Sequence, residues 1–111
     1  MKHCLRLQHS PFLAIKTGRK RLEMRLYDEK RSLIKVGDSI EFTDVETGAL
    51  LLCEVVHLYR YNNFQQLYSH HDKISIGYVE EEEANPDDML DYYTQEEIEK
   101  YGVVGIEIGL L

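Results

Sequence analysis

The alternation of apolar and polar residues along the chain predicts five strands, most of them short. The pattern is clearest at 21–28. There Leu22, Met24 and Leu26 alternate with charged or aromatic residues, so we expect this strand to be buried on one face only. The run at 49–61 is long for a small barrel, which predicts a bend or a bulge within it. The remaining predicted strands are 3–8, 38–44 and 103–111.

Helical spacing and capping signals predict two to three helices. Ser10-Pro11 is typical of a helix start and Gly18 of a helix end, which gives a first helix of about two turns. A second helix is expected over 62–71, with an asparagine as its cap. Residues 87–102 predict one helix or two short ones, with Thr94 beginning a capping box.

The order of these elements predicts an α+β fold in a single domain over residues 1–111. We expect a small, partly open β-barrel of about five to six mainly antiparallel strands, with the helices packed at its ends. Short turns, such as the one expected at Gly48, join the central strands, so no parallel crossover is predicted. Residues 72–86 are expected to form a loop.

Charge is distributed unevenly along the chain. The formal net charge is −7, yet residues 1–35 carry ten Lys or Arg and only three acids, and residues 36–111 carry three basic residues and seventeen acids. This polarity favours an anion-binding surface in the N-terminal part and argues against binding of an extended duplex DNA. A simpler explanation is that the two parts neutralise each other on one small surface.

The most basic segment is TGRKRLEMR, residues 17–25. Lys20 lies where the first helix passes into a strand, and Arg25 offers a planar fork suited to phosphate or to a carbonyl-rich base edge. Glu23 is two residues before Arg25, so both side chains share one face of the strand with Arg21 and Tyr27. The segment is either an anion-binding cleft with a carboxylate inside it or a solvated ladder of salt bridges.

The same segment resembles a motif of the activating-signal-cointegrator homology (ASCH) family, within the PUA-like superfamily. Gly18, Lys20, Glu23 and Arg25 match the order G-x-K-x-x-E-x-R, and Gly37-Asp38 matches the G-D that follows. The closing KYGVVGIEI is also similar to the last strand of such domains, so the resemblance spans nearly the whole chain. It implies a PUA-like barrel with a cleft near Lys20, Glu23 and Arg25.

The resemblance implies that this cleft binds RNA or a nucleoside or nucleotide, including modified ones. A tyrosine on a neighbouring strand, such as Tyr59 or Tyr61, would stack a base there. A protein-interaction module with an acidic C-terminal half is an alternative of a different class. The residues expected to bind the ligand are Gly18, Arg19, Lys20, Arg21, Arg25 and Tyr27.

A hydrolase on the same cleft is a further alternative. One branch of small ASCH proteins hydrolyses N4-acetylcytidine with a lysine, a threonine three residues later and a distant glutamate, and other members are described as ribonucleases. Lys20 matches the lysine, Glu23 replaces the threonine, and the distant glutamate would fall among Glu80–Glu83. In such an enzyme Lys20 would activate the nucleophile, Glu23 would carry the proton and Arg25 would stabilise developing negative charge.

Other residues suggest no cofactor and no metal, since no Cys–His spacing suits a metal ion. Cys4 and Cys53 each lie in an apolar run, as buried free thiols often do. The chain has no apolar run of membrane-spanning length and no signal-peptide pattern at its start. We therefore expect a soluble, cytoplasmic protein, and the pattern leaves its oligomeric state open.

Overall fold

The computed structural model describes residues 1–111 and contains five strands and three α-helices. None of these helices has the length and apolar character needed to cross a membrane. Two short 3-10 segments, Arg31–Leu33 and Pro86–Asp91, complete the regular structure. The strands are β1 (Lys2–Leu7), β2 (Leu22–Leu26), β3 (Ser39–Asp44), β4 (Leu50–Tyr61) and β5 (Val103–Leu110), and the helices are α1 (His9–Lys16), α2 (Phe64–His70) and α3 (Gln95–Tyr101).

The strands form one sheet in the order β1-β3-β4-β5-β2. Three of the four pairings are antiparallel, which confirms the predicted α+β fold with a mainly antiparallel, partly open barrel. The pairing of β1 with β3 is parallel, so the expectation that no parallel crossover occurs was wrong. The chain reaches β3 only after passing through α1 and β2, and short-turn signals cannot reveal a crossover of that length.

The two edge strands of the sheet approach each other across an open seam. The Arg25 side chain on β2 spans this seam, because its Nη2 donates to the carbonyl of Arg6 on β1 at 2.7 Å. The curvature is helped by the predicted bulge in β4, where the register with β5 shifts between Val55 and His57. The sheet is thus a half-barrel that a side chain, and not a strand pair, closes.

Strand β2 is buried on both faces, which corrects the expectation of a half-buried strand. Leu22, Met24 and Leu26 pack outward against α2, α3 and the Pro86–Asp91 segment. Glu23 and Arg25 lie opposite Ile106 and Val104 of β5, whose side chains belong to the barrel interior. The strand alternates as predicted, but its charged face is the inner one, because helices cover the other.

Several local signals are confirmed. Gly18 has φ 83° and follows Thr17, the C-cap residue of α1, and Asn63 caps α2 by accepting from the Gln66 amide. Thr94 forms the predicted capping box at the start of α3. Residues 87–102 fall into two short elements, and residues 72–86 contain no strand.

Two local expectations were wrong. Helix α1 begins at His9 after Gln8, so Ser10 is not its cap, although Pro11 still lies in the first turn, where no amide donor is needed. Cys4 is exposed, because the inward positions of β1 are Leu5 and Leu7, one residue out of phase with the expected inward Cys4. Cys53 is fully buried, as predicted.

Replacing Gly102 with alanine should destabilise the fold. Gly102 has φ 71° and ψ −172°, a backbone region that is essentially confined to glycine, and an added Cβ would lie 3.0 Å from the Tyr61 carbonyl oxygen. We expect Gly102→Ala to lower the free energy of unfolding by about 1–3 kcal/mol in urea titrations. Gly109→Ala is the matched control, since its Cβ would make an ordinary 3.4 Å contact with Val56. Equal losses in both variants would contradict this explanation.

Candidate functional site

A cavity of about 680 Å³ lies along the open seam of the half-barrel. Its walls come from β1 and the start of α1 on one side, from β2 at the bottom, and from the loop after α2 and the Pro86–Asp91 segment on the other side. The volume is within the range of pockets that bind small organic ligands. The cavity exists because β1 and β2 are the edge strands of the sheet and do not pair with each other.

The floor of this cavity is a chain of three charged side chains. The Lys20 ammonium donates to Glu23 Oε1 at 2.8 Å, and Arg25 Nε donates to Glu23 Oε2 at 2.8 Å. Glu23 is only 3% exposed and Lys20 only 8% exposed, yet all three residues line the cavity. We call this chain of Lys20, Glu23 and Arg25 the charged triad. It brings together the three residues that sequence analysis identified as possible catalytic groups.

Local backbone structure places each member of the charged triad. Gly18 ends α1, and the Lys20 amide then donates to the Ala14 carbonyl at 2.9 Å, which turns the chain sharply from helix into strand. Glu23 and Arg25 are two residues apart on β2, so both point into the half-barrel. The three side chains therefore converge on one point from two different elements.

The charged triad carries one net positive charge. Burial alone would raise the pKa of Glu23, but the charges of Lys20 and Arg25 and the hydrogen bonds that they donate lower this pKa to about 2. Desolvation disfavours the Arg25 cation, but the Glu23 carboxylate more than offsets it and raises the pKa of Arg25. One carboxylate thus neutralises one of two cations, and the surplus charge faces the cavity.

Gly77 was missed by sequence analysis and makes room for Lys20. It has φ 117°, and a Cβ at this position would lie 3.2 Å from the Lys20 Cδ. Arg19 holds the same loop in place, because its Nη1 donates to the carbonyls of Gly77 and Tyr78 at 3.0 Å each. The glycine in the stretch SIGY was the available signal, but only the folded loop shows what it contacts.

The wall opposite β1 is aromatic and acidic. It contains four tyrosines and two carboxylates, and a third cation, Arg6, lies on the β1 side. Apart from Glu82, which was one of four candidate glutamates, these residues escaped sequence analysis, where the abundance of tyrosine in the C-terminal half was the only signal. The tyrosines are Tyr68, Tyr78, Tyr92 and Tyr93, and the carboxylates are Glu82 and Asp88.

The structure places four of the expected ligand-binding residues away from the cavity lining: Gly18, Arg19, Arg21 and Tyr27. Gly18 and Arg19 shape the site through the turn and the loop described above. Arg21 is exposed and contributes only its backbone, which pairs with Ser75 and Ile108. Tyr27 packs on the barrel core beneath the Arg60 guanidinium, which lies 3.7 Å from the ring centroid.

Most of the other residues considered for the site also lie outside the cavity lining. Tyr59 donates to Glu107 and Tyr61 contacts His71, so neither lines the cavity. Of the four glutamates at 80–83, only Glu82 lines it, and its carboxylate accepts from the Val79 amide. No group of three or more His, Cys, Asp or Glu side chains is arranged to hold a metal ion.

The low pKa of Glu23 predicts how stability depends on pH. A carboxyl whose pKa falls from 4.5 to about 2 on folding contributes stability above pH 4.5 that is lost as the pH falls towards 2. At neutral pH the lowered pKa of Glu23 contributes about 3 kcal/mol to the free energy of unfolding. We expect Glu23→Gln to be markedly less stable than the wild type at pH 7, because two buried cations lose their partner. This difference should shrink between pH 4.5 and pH 2.

Urea titrations of both proteins from pH 7 to pH 2 measure this effect. The pKa values of Asp38 and Asp44 are also lowered to about 2, but both groups are present in both proteins, so their contributions cancel in the difference. A stability difference that stays constant down to pH 2 would contradict an ionised Glu23 held between two cations.

Comparison with known proteins agrees with this architecture. The crystal structure of the hypothetical protein PH0355 matches with a TM-score of 0.84 and 34% sequence identity, over 100% of both chains. The solution NMR structure of protein PF0455 from Pyrococcus furiosus matches with a TM-score of 0.71 and 35% identity, over 100% of this chain and 98% of that one. No curated protein matches the sequence. The ASCH domain model matches residues 5–111, and the chain therefore belongs to the ASCH domain family.

Proposed function

We propose that the cavity binds RNA or a nucleoside or nucleotide, including modified ones. The observation that carries this proposal is the charged triad, in which Lys20 and Arg25 share the single carboxylate of Glu23 and leave a positive charge at the cavity floor. Ammonium and guanidinium donors recognise phosphate oxygens and the carbonyl edges of bases. Membership of the ASCH family, whose domains are generally of an RNA-binding type, supports the same class of ligand.

The aromatic wall supports a ligand with a flat ring. Tyr93 is held beside the cavity by stacking on Phe64 at a centroid distance of 6.0 Å, and Tyr92, also in the cavity lining, is 64% exposed. Stacking of a base on an aromatic side chain contributes about 1–3 kcal/mol in single-stranded nucleic-acid complexes. An ordinary salt-bridge ladder on a solvated face would be exposed, whereas Glu23 and Lys20 are buried here.

The geometry favours binding over hydrolysis. A general base works best when its pKa is near the working pH, and the pKa of Glu23 is about 2, so this carboxylate is a weak base at neutral pH. Lys20 already donates to that carboxylate. The chain has Glu23 where the deacetylating branch has a threonine, so the hydroxyl of that branch is missing here. We therefore place an N4-acetylcytidine amidohydrolase or a ribonuclease second to a binding module. A concave site is likewise a poorer fit to a protein-interaction surface.

Replacing Lys20 with glutamine should weaken ligand binding. We expect Lys20→Gln to raise the Kd for cytidine 5′-monophosphate and for a single-stranded RNA tetranucleotide about tenfold or more, because one cation at the cavity floor is lost. Isothermal titration calorimetry in low salt measures this change. Lys16→Gln is the matched control, since Lys16 is exposed on α1 outside the cavity lining. Equal weakening in both variants, or no binding by the wild type, would overturn the proposal.

The same samples separate binding from turnover. Chromatography of N4-acetylcytidine and of the RNA after incubation with the wild type should show no deacetylation and no cleavage. Turnover by the wild type that disappears in Lys20→Gln, with the thermal unfolding of the variant still cooperative, would instead identify a hydrolase on this cavity.

A further inference from the structure

Resting on the proposed function, we propose that Asp88 makes the site selective for ligands that carry an amino group on the ring. In this arrangement an exocyclic amine donates to Asp88 on the acidic wall, and the ring's carbonyl or ring-nitrogen acceptors face the charged triad. The class of ligand is therefore an amino-bearing base, such as that of a cytidine or an adenosine, in preference to its oxo counterpart.

Hydrogen bonding between three cavity residues orients Asp88. Tyr78 Oη donates to Asp88 Oδ2 at 2.6 Å, and the hydroxyl oxygens of Tyr68 and Tyr78 are 3.0 Å apart. A phenol has only one proton to donate. Because the Tyr78 proton is directed to Asp88, the Tyr68 hydroxyl must be the donor to Tyr78. The three groups thus form a relay in which every proton points towards the Asp88 carboxylate.

The protonation states of the phenols preserve this direction. Burial raises the pKa of Tyr68, and burial together with the bond to Asp88 raises the pKa of Tyr78, so both phenols keep their protons at neutral pH. The Asn85 carbonyl oxygen also lies 3.2 Å from the Tyr78 hydroxyl, but the one Tyr78 proton is directed to the closer Asp88 oxygen. The orientation of Asp88 is therefore set before any ligand binds.

The second oxygen of Asp88 remains available. Tyr78 occupies Oδ2, and no protein group donates to Oδ1. The ion pairs of the chain do not include Asp88, whereas Glu23 is fully occupied by two cations. Glu82, the other carboxylate on this wall, accepts from the Val79 amide. Neither carboxylate on this wall has a cation of its own, and Asp88 is the one that the tyrosine relay orients.

A carboxylate with a free oxygen discriminates between amino and oxo groups. An amino group donates to it, while a carbonyl in the same place brings two acceptors together without a proton between them. Acidic side chains read the amino group of cytosine in this way. Loss of one charged hydrogen bond and its replacement by repulsion corresponds to about a tenfold difference in Kd.

Two matched pairs of nucleosides test this selectivity: cytidine with uridine, and adenosine with inosine. Each pair differs by an amino or an oxo group at one ring position and by the proton that the oxo member carries on the adjacent ring nitrogen, so the Asp88 variant is needed to assign the preference to Asp88. We expect the wild type to bind the amino member of each pair about tenfold more tightly in isothermal titration calorimetry. Asp88→Asn keeps the shape of the side chain but presents an amide that donates, so we expect the preference to fall to within about twofold or to reverse in favour of the oxo member.

Control variants separate recognition of the amino group by Asp88 from a general effect of charge. The four nucleosides and the tetranucleotide together separate the role of Asp88 from the proposed function. Asp87→Asn removes the same charge from the neighbouring residue, which is exposed and does not line the cavity, and should retain the wild-type preference. Tyr78→Phe removes the donor that orients Asp88 and should reduce the preference, with affinity for the oxo member little changed. Binding of both members with equal affinity by the wild type would overturn the role of Asp88 alone. Absence of binding by all four nucleosides and by the tetranucleotide would overturn the proposed function.

Discussion

Glu23 carries its charge inside a half-barrel that is otherwise filled with apolar side chains, and the arrangement of the site depends on how that charge is compensated. A buried carboxylate without partners would be strongly destabilising. Lys20 and Arg25 each donate to one of its oxygens at 2.8 Å, so the carboxylate is ionised and held from both sides. The surplus positive charge of this arrangement is the basis of the binding that we propose for the cavity.

The same interaction organises the open seam of the barrel. Arg25 uses its Nε on Glu23 and its Nη2 on the Arg6 carbonyl, so one guanidinium links the charge on β2 to the edge of β1. A continuous strand pair at this place would have filled the seam with backbone hydrogen bonds and left no cavity. Because a side chain closes the barrel instead, the space beside it is free to take a ligand whose polar atoms meet Lys20 and Arg25.

Sequence analysis located the floor of the site but not its far wall. Lys20, Glu23 and Arg25 stand close together in the chain, and strand periodicity with a helix end is enough to bring them together. The tyrosines and Asp88 are at least 40 residues further along. Tyr68 lies on α2, and the others lie in the loop after α2 or in and just after the Pro86–Asp91 segment, which have no strong periodic pattern. Tyr27 shares a strand face with Arg25 by position alone, yet it packs under Arg60, because β2 ends at Leu26.

The sequence by itself determined the local elements and the motif: a helix that ends at Gly18, an alternating strand that carries Glu23 and Arg25, and a capping box at Thr94. These follow from propensities and periods that act over a few residues. Only the tertiary structure decided that the charged face of β2 points into the barrel, that β1 pairs with β3 in parallel, and that Asp88 and the charged triad line the same cavity. Burial and long-range pairing depend on which elements cover one another, and that information is distributed over the whole chain.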